Sequence, residues 1–225
     1  MIQSQYLLII RPLRKKIMPQ VFNDLVRFVL AALFGVTSVF VQAQDARPDE
    51  LVKTWTTDVM NTIKADNDLL NGNLKRLSEL VDTKIMPNVN FQHTTALAVG
   101  RSWNKATPEQ QKQLMQEFRT LLVRTYAGAL TSVKDKTLQF KPLRAGADEA
   151  DVVVKSQVVS SKGGEPIQLD YRLEKTTNGW KIYDLNVLGI WLVENYRNQF
   201  SSEINQSGID GLIAKLQEQN KAAKK

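Results

Sequence analysis

Residues 167–187 read Ile-Gln-Leu-Asp-Tyr-Arg-Leu-Glu-Lys-Thr-Thr-Asn-Gly-Trp-Lys-Ile-Tyr-Asp-Leu-Asn-Val. Apolar and polar residues alternate from residue 167 to residue 173, and this period of two is typical of a half-buried β-strand. A second strand is predicted after the turn sequence Thr-Asn-Gly of residues 177–179. In that strand Trp180 and Ile182 are predicted on one face, and Tyr183, Leu185 and Val187 on the other. The stretch therefore predicts an antiparallel hairpin.

Two further strands are predicted before this hairpin. Leu138 and Phe140 alternate with polar residues, and a valine-rich segment follows at residues 152–159. Residues 145–148 and 162–164 connect these segments with the Gly, Asp and Lys residues of tight turns. Four short strands joined by such turns indicate an antiparallel meander.

The segments on both sides of the strands predict helices. Apolar residues recur every four positions after Pro48, and a long helix is predicted from Pro108 to about Ser132. Thr107 and Gln110 form a capping box at its start. Helical spacing returns after Gly189. The predicted fold class is α+β, with N-terminal and C-terminal helices packed on a twisted four-stranded antiparallel sheet.

The first 43 residues predict an export signal. An apolar run at residues 28–41 follows basic residues and ends at Val41-Gln42-Ala43, which is typical of a removed signal peptide. This run is shorter than the roughly 20 residues that a membrane-spanning helix needs. Met18 is an alternative start. We expect a single domain over residues 44–217 and a basic, disordered tail over residues 218–225.

The composition excludes several classes of chemistry. The chain has no cysteine and a formal net charge of +7, of which +4 lies in residues 1–43. The remainder is too weakly basic for a dedicated nucleic-acid partner. An exported protein without cysteine fits the periplasm of a Gram-negative bacterium. We expect a monomer.

No pattern in the sequence predicts a catalytic or metal site. His93 is the single histidine, so a histidine pair for a metal or for acid–base catalysis cannot form, and we expect it on a helix surface or at a cap. Asp170 and Asp184 occupy polar-facing positions of the predicted strands. We therefore predict no catalytic residue, no metal and no cofactor.

Large apolar residues are abundant where the helices are expected to meet the sheet. Such residues either fill a core or line a pocket, and the pattern alone favours a filled core. The residues concerned are Trp103, Phe118, Leu122, Tyr126, Phe140, Leu169, Tyr171, Leu173, Tyr183, Leu185, Val187, Tyr196 and Phe200.

Two stretches of the chain resemble a known family. The first is Val-Gly-Arg-Ser-Trp at residues 99–103, followed by Thr-Pro-Glu-Gln-Gln at residues 107–111. The second is Trp-Lys-Ile-Tyr-Asp at residues 180–184, followed by Asn-Tyr-Arg-Asn-Gln-Phe at residues 195–200. Over roughly residues 48–216 the chain resembles the MlaC family, also called toluene-tolerance Ttg2D-type proteins. It departs from the family at Trp191, where a small residue is usual. An inward Trp191 would narrow a pocket, whereas an outward one would alter a docking surface.

The resemblance implies a lipid-binding domain whose interior is an apolar cavity for acyl chains. The large apolar residues named above then form the cavity wall, and Arg101, Arg124, Lys181 and Arg197 are expected at the head-group rim. The implied cargo is a diacyl phospholipid. The implied partners are an outer-membrane lipoprotein–porin complex and an inner-membrane ABC transporter with an MCE-domain subunit. The implied role is to shuttle lipid between them and maintain outer-membrane lipid asymmetry.

Two other functions remain open at this point. One is a small-molecule enzyme on a cone-shaped α+β fold, in which Asp170 or Asp184 would face a pocket beside Tyr171 or Tyr183. The other is a periplasmic module that binds hydrophobic peptides in an open groove.

Overall fold

Six α-helices and five strands make up the part of the chain that the computed structural model describes, residues 47–144 and 149–222. These residues belong to one compact unit. The expected signal peptide, the alternative start at Met18 and the turn at residues 145–148 lie outside the described residues. The helices are α1 (Pro48–Ala65), α2 (Asn67–Leu70), α3 (Leu74–Leu80), α4 (Phe91–Val99), α5 (Pro108–Thr131) and α6 (Leu192–Ala222).

Side-chain caps fix where most helices begin. The hydroxyl of Thr107 accepts from the Gln110 amide, and the Gln110 side chain accepts from the Thr107 amide, so the predicted capping box is confirmed. Helices α2, α3 and α4 are preceded by Asp66, Asn73 and Asn90, whose side chains accept hydrogen bonds from backbone amides of the first turn. Helix α3 continues as a π-helical turn (Val81–Ile85) and a 3-10 turn (Met86–Asn88).

The sheet is a meander with one strand more than the sequence predicts. Strands β1 (Lys136–Phe140), β2 (Asp151–Ser160), β3 (Ile167–Thr176) and β4 (Gly179–Val187) pair antiparallel in sequence order. A two-residue strand, β5 (Ile190–Trp191), then folds back on the end of β4, so the sheet of the described residues has five strands instead of four. Two residues are too short to show an alternating pattern, which is why the sequence did not reveal β5.

A β-bulge in β4 determines which of its side chains face inward. Leu173 lies opposite Ile182, but Arg172 lies opposite Asp184, so Tyr183 is an extra residue in the ladder. Beyond the bulge Leu185 lies opposite Tyr171 and Val187 opposite Leu169. Leu185 and Val187 therefore share the face of Ile182, whereas simple alternation put them on the opposite face.

The apolar side chains form three clusters. One joins α4, α5 and α6 around Phe118 and Phe200, and a second joins α1 to the inner face of the sheet around Tyr171 and Leu173. The third joins α1, α2, α3 and α5 around Leu77. We call the sheet face that carries Tyr171 and Leu173 the inner face, and the opposite face the outer face.

Helix α6 is kinked and extends further than expected. Gly208 has a φ of 72°, in the left-handed region that glycine adopts readily, and it interrupts the helical backbone. Residues 218–222 are helical, whereas the sequence predicts a disordered tail from residue 218. The side-chain amide of buried Asn220 donates to Glu117 on α5, which anchors the last turn.

Candidate functional site

An apolar cavity of about 450 Å³ lies between the inner face of the sheet and the helices. Its lining comes from α1, the turns after α3, α4, α5, strands β1–β4 and the first residue of α6. Burial increases along the strands from one end to the other: Ile167 and Val187 are half-buried, whereas Tyr171 and Ile182 are almost fully buried. The more open end therefore lies where β3 begins and β4 ends.

Helix α5 supplies the longest continuous wall of the cavity. Phe118, Leu122 and Tyr126 follow one another every four residues, and Leu130 and Val133 continue the line. Residues with this spacing lie on one face of a helix. Helix α1 supplies the facing wall with Trp55, Val59, Met60 and Ile63.

Eight of the thirteen predicted wall residues lie at this cavity. Phe118, Leu122 and Tyr126 come from α5, and Leu169, Tyr171, Tyr183, Leu185 and Val187 come from the sheet.

The other five predicted wall residues lie elsewhere in the core. Trp103, Tyr196 and Phe200 pack in the cluster that joins α4, α5 and α6. Phe140 and Leu173 pack in the cluster between α1 and the sheet. These five residues fill space between elements instead of lining the cavity.

Several lining residues were not identified from the sequence. Trp55, Val59 and Ile63 form the apolar stripe of α1, and Ile85 and Met86 follow α3. Their helical spacing was visible, but helical spacing alone does not distinguish a cavity wall from a filled interface. The apolar stripe of α1 resembles that of α5, and this likeness was the signal in the sequence that could have identified α1 as a cavity wall.

Two hydroxyl groups in the cavity wall are satisfied by backbone carbonyls of the protein itself. The Thr56 hydroxyl donates to the Val52 carbonyl at 2.6 Å, and the Thr94 hydroxyl donates to the Tyr183 carbonyl at 2.8 Å. Burial raises the pKa of Tyr126 to about 12, so its phenol is neutral at physiological pH. A wall of this kind suits hydrocarbon, because it leaves few unpaired groups to desolvate.

The four predicted rim residues lie in different places. Lys181 donates to the Pro87 carbonyl at 2.7 Å, and the Arg197 guanidinium lies beside Gly100. Arg101 is exposed, next to Gly100. Arg124 lines a smaller recess between α3 and α5 that shares Arg119 and Val123 with the cavity wall. None of the four lines the cavity itself, but Arg124 shares its recess with two lining residues, and Lys181 is bonded next to the lining residue Met86.

The strand register places Asp170 and Asp184, the acidic residues considered for catalysis, on the outer face, and Asp184 is also among the residues that line the cavity. Asp184 accepts from the Val193 amide at 3.0 Å, at the start of α6, and from Arg172 at 3.1 Å. Burial raises the pKa of Asp184, while these donors favour its charged form. Asp170 accepts from the Ser156 amide at 3.1 Å and from the Gln168 side chain at 2.6 Å. Both carboxylates thus have structural partners.

Trp191 points outward. It lies opposite Asn186 on the outer face, and the Arg172 guanidinium stacks 3.9 Å from its ring centroid. It therefore leaves the cavity width unchanged.

His93 belongs to a polar cluster at the edge of β4. Its Nδ1 lies 2.9 Å from the Glu174 carboxylate, and its ring stacks on Tyr183 with centroids 4.9 Å apart. The Tyr183 hydroxyl in turn donates to Asp151 at 2.7 Å. Across residues 47–144 and 149–222 no group of three or more His, Cys, Asp or Glu side chains is placed to hold a metal ion. Within the same ranges, no helix has the length and apolar character needed to cross a bilayer.

Comparison with known proteins gives consistent matches. Residues 53–218 match the family model described as MlaC protein. The chain is 24% identical over 193 residues to the intermembrane phospholipid transport system binding protein MlaC of Haemophilus influenzae, covering 85% of this chain and 89% of that protein. It is 25% identical over 183 residues to the toluene tolerance protein ttg2D of Pseudomonas putida, covering 81% and 82%.

A solved structure is similar over the same region. The phospholipid-binding protein from Ralstonia solanacearum, determined in complex with a phospholipid, is 50% identical and superposes with a TM-score of 0.77. The match covers 80% of this chain and all of that one. The predicted α+β architecture is confirmed by this likeness.

Proposed function

Because the chain belongs to the MlaC family, we propose that it is a non-enzymatic phospholipid carrier. Its cargo is a diacyl phospholipid whose acyl chains occupy the cavity between α1, α5 and the inner face of the sheet. The observation that carries this proposal is the apolar cavity of about 450 Å³, in a chain 50% identical to a protein solved with a phospholipid.

The physical chemistry of transfer supports a carrier. Two acyl chains of about 15 methylenes each gain roughly 24 kcal/mol on leaving water, at about 0.8 kcal/mol per methylene. Release into water is therefore prohibitive, but a bilayer offers the same apolar contacts as the cavity. Transfer between protein and bilayer is then nearly balanced, so small docking energies are sufficient to drive exchange.

The proposed place of action is the periplasm of a Gram-negative bacterium. The signal predicted at residues 1–43 supports export, and the name of the Haemophilus relative includes intermembrane phospholipid transport. The proposed partners are an outer-membrane lipoprotein–porin complex and an inner-membrane ABC transporter with an MCE-domain subunit. Shuttling between them as a monomer would maintain outer-membrane lipid asymmetry.

The arrangement of polar groups favours a carrier over an enzyme. The hydroxyls of Thr56 and Thr94 in the wall are bonded to backbone carbonyls, and Asp170 and Asp184 have partners on the outer face. An apolar cavity likewise suits acyl chains better than a peptide, whose backbone amides need hydrogen-bond partners. Of the predicted rim residues, Arg124 is the one that we propose near the head group.

Native mass spectrometry of the protein purified from periplasmic extract, followed by lipid extraction, tests the proposal. We expect an adduct with the mass of a diacyl phospholipid that disappears after extraction. As a control, a protein of similar size from the same extract should carry no such adduct. A clean mass without extractable lipid would refute the carrier function.

A further inference from the structure

A recess of about 220 Å³ lies between α3 and α5, and we call it the α3–α5 recess. Lys75 and Ser78 come from α3, and Arg119, Thr120 and Arg124 come from α5. Lys75 and Ser78 are three positions apart and Thr120 and Arg124 are four apart, so each pair lies on one helix face and the two helices present these side chains to a common space. The recess shares Arg119 and Val123 with the lipid cavity, so the two spaces adjoin at these side chains.

The cations of this recess are only partly neutralised by the protein. The Arg119 Nη2 contacts Asp82 and donates to the carbonyl and hydroxyl oxygens of Ser78. Among the described residues, however, the Nε of Arg119 and the Nη1 of Arg124 are buried without a hydrogen-bond partner. The positive charges of Lys75 and Arg124 are also not neutralised, because neither residue belongs to an ion pair within the described residues.

Two guanidinium groups line this recess, and only that of Arg119 has an ion-pair partner among the described residues, so the recess favours an anion. Arginine cannot lose its proton in a protein, so the charges of Arg119 and Arg124 persist beside the recess and favour an anion there. The planar fork of N–H groups matches the oxygens of phosphate, and a lysine adds a mobile point charge. A carboxylate ligand would offer two oxygens, whereas phosphate offers enough to meet Lys75, Arg119 and Arg124 together.

We propose that the α3–α5 recess is a binding site for a phosphate group, held by Lys75, Arg119 and Arg124. The group comes either from the head group of the lipid in the adjoining cavity or from free phosphate. The assignment of the head group as the source rests on the proposed carrier function, but anion binding by the recess does not.

Titration of the delipidated protein with inorganic phosphate tests anion binding, with isothermal calorimetry as the readout. We expect Arg124→Gln and Lys75→Gln each to weaken phosphate binding by about tenfold, since each removes a charged donor. Arg144→Gln, which removes an exposed arginine away from the recess, should leave binding unchanged. Circular dichroism of each variant verifies folding, and the milder Lys75→Gln variant retains the test if Arg124→Gln unfolds.

Phosphorus NMR of the lipid-loaded protein distinguishes the two sources. If the lipid head group occupies the recess, its phosphorus signal shifts in Arg124→Gln and Lys75→Gln, and loaded protein no longer binds inorganic phosphate. If the source is free phosphate, the loaded protein binds it as well as the delipidated one. The proposal is overturned if wild-type protein binds no phosphate when delipidated and the lipid signal is the same in all variants. If the protein still binds lipid when the phosphate site is refuted in this way, the proposed carrier function is still supported.

Discussion

Replacing Leu122 with tryptophan tests whether this residue lines a cavity or packs in a filled core. Leu122 is half-buried and lines the cavity one turn after Phe118, so the larger ring has open space to enter. Overpacking a filled core costs about 1–3 kcal/mol. We expect Leu122→Trp to reduce the free energy of unfolding by less than about 1 kcal/mol. The matched control is Leu173→Trp, because Leu173 is 0% exposed and lies outside the cavity lining; we expect it to lose about 3 kcal/mol, the upper end of that range, or to misfold.

The same variant should lose lipid. A tryptophan ring that displaces two methylenes from the wall forfeits about 1.6 kcal/mol of acyl contact. The competing bilayer is unaffected, so loading against vesicles should fall by about tenfold or more. Urea denaturation measures stability, and native mass spectrometry after equilibration with vesicles measures loading. Equal destabilisation of Leu122→Trp and Leu173→Trp, or unchanged loading of a folded Leu122→Trp, would refute the cavity assignment.

Three further predictions follow from the packing and the capping. Phe118 is 1% exposed and its ring lies 4.9 Å from that of Tyr196 and 5.1 Å from that of Phe200, so Phe118→Ala should lower the free energy of unfolding by about 3–5 kcal/mol in urea titrations; a loss below about 2 kcal/mol would contradict this packing. Burial raises the pKa of Asp184 above its ordinary value of 3.8, so the folded state binds that proton more tightly than the unfolded chain. The stability of wild type relative to Asp184→Asn should therefore fall as the pH rises from below 3.8 through the raised pKa, and a constant or rising difference would show that the donors outweigh burial. Thr107→Ala should cost about 1 kcal/mol in a thermal or urea melt, because it removes the capping-box hydroxyl, and Thr107→Ser should restore the loss.

The elements of this fold were predictable where the determining interactions are local. The start of α5 follows from Thr107, Pro108 and Gln110, which lie within four residues. The hairpin of β3 and β4 follows from alternation and from the turn at residues 177–179. In both cases a short stretch of chain contains all of the groups that form the structure.

Features that depend on contacts between residues far apart in the sequence were not predictable. The bulge at Tyr183 arises from the register between β3 and β4, so alternation alone put Leu185 on the wrong face. The last turn of α6 is held by Asn220 against Glu117, which is 103 positions away in the sequence. Phe200 and Phe118 both belong to apolar stripes with helical spacing, yet only Phe118 lines the cavity.

The bulge in β4 has a consequence for how this strand tolerates genetic change. Removal of the single codon for Tyr183 would delete the extra residue of the bulge and leave Asp184 opposite Arg172 and Leu185 opposite Tyr171 in regular alternation. Leu185 and Val187 would still face the cavity, and Asp184 and Asn186 would still lie on the outer face. Deletion of one residue after the bulge, such as Leu185, would instead exchange the faces of the residues that follow it, so losses in related chains are expected at the bulge or at the turns on either side of the strand.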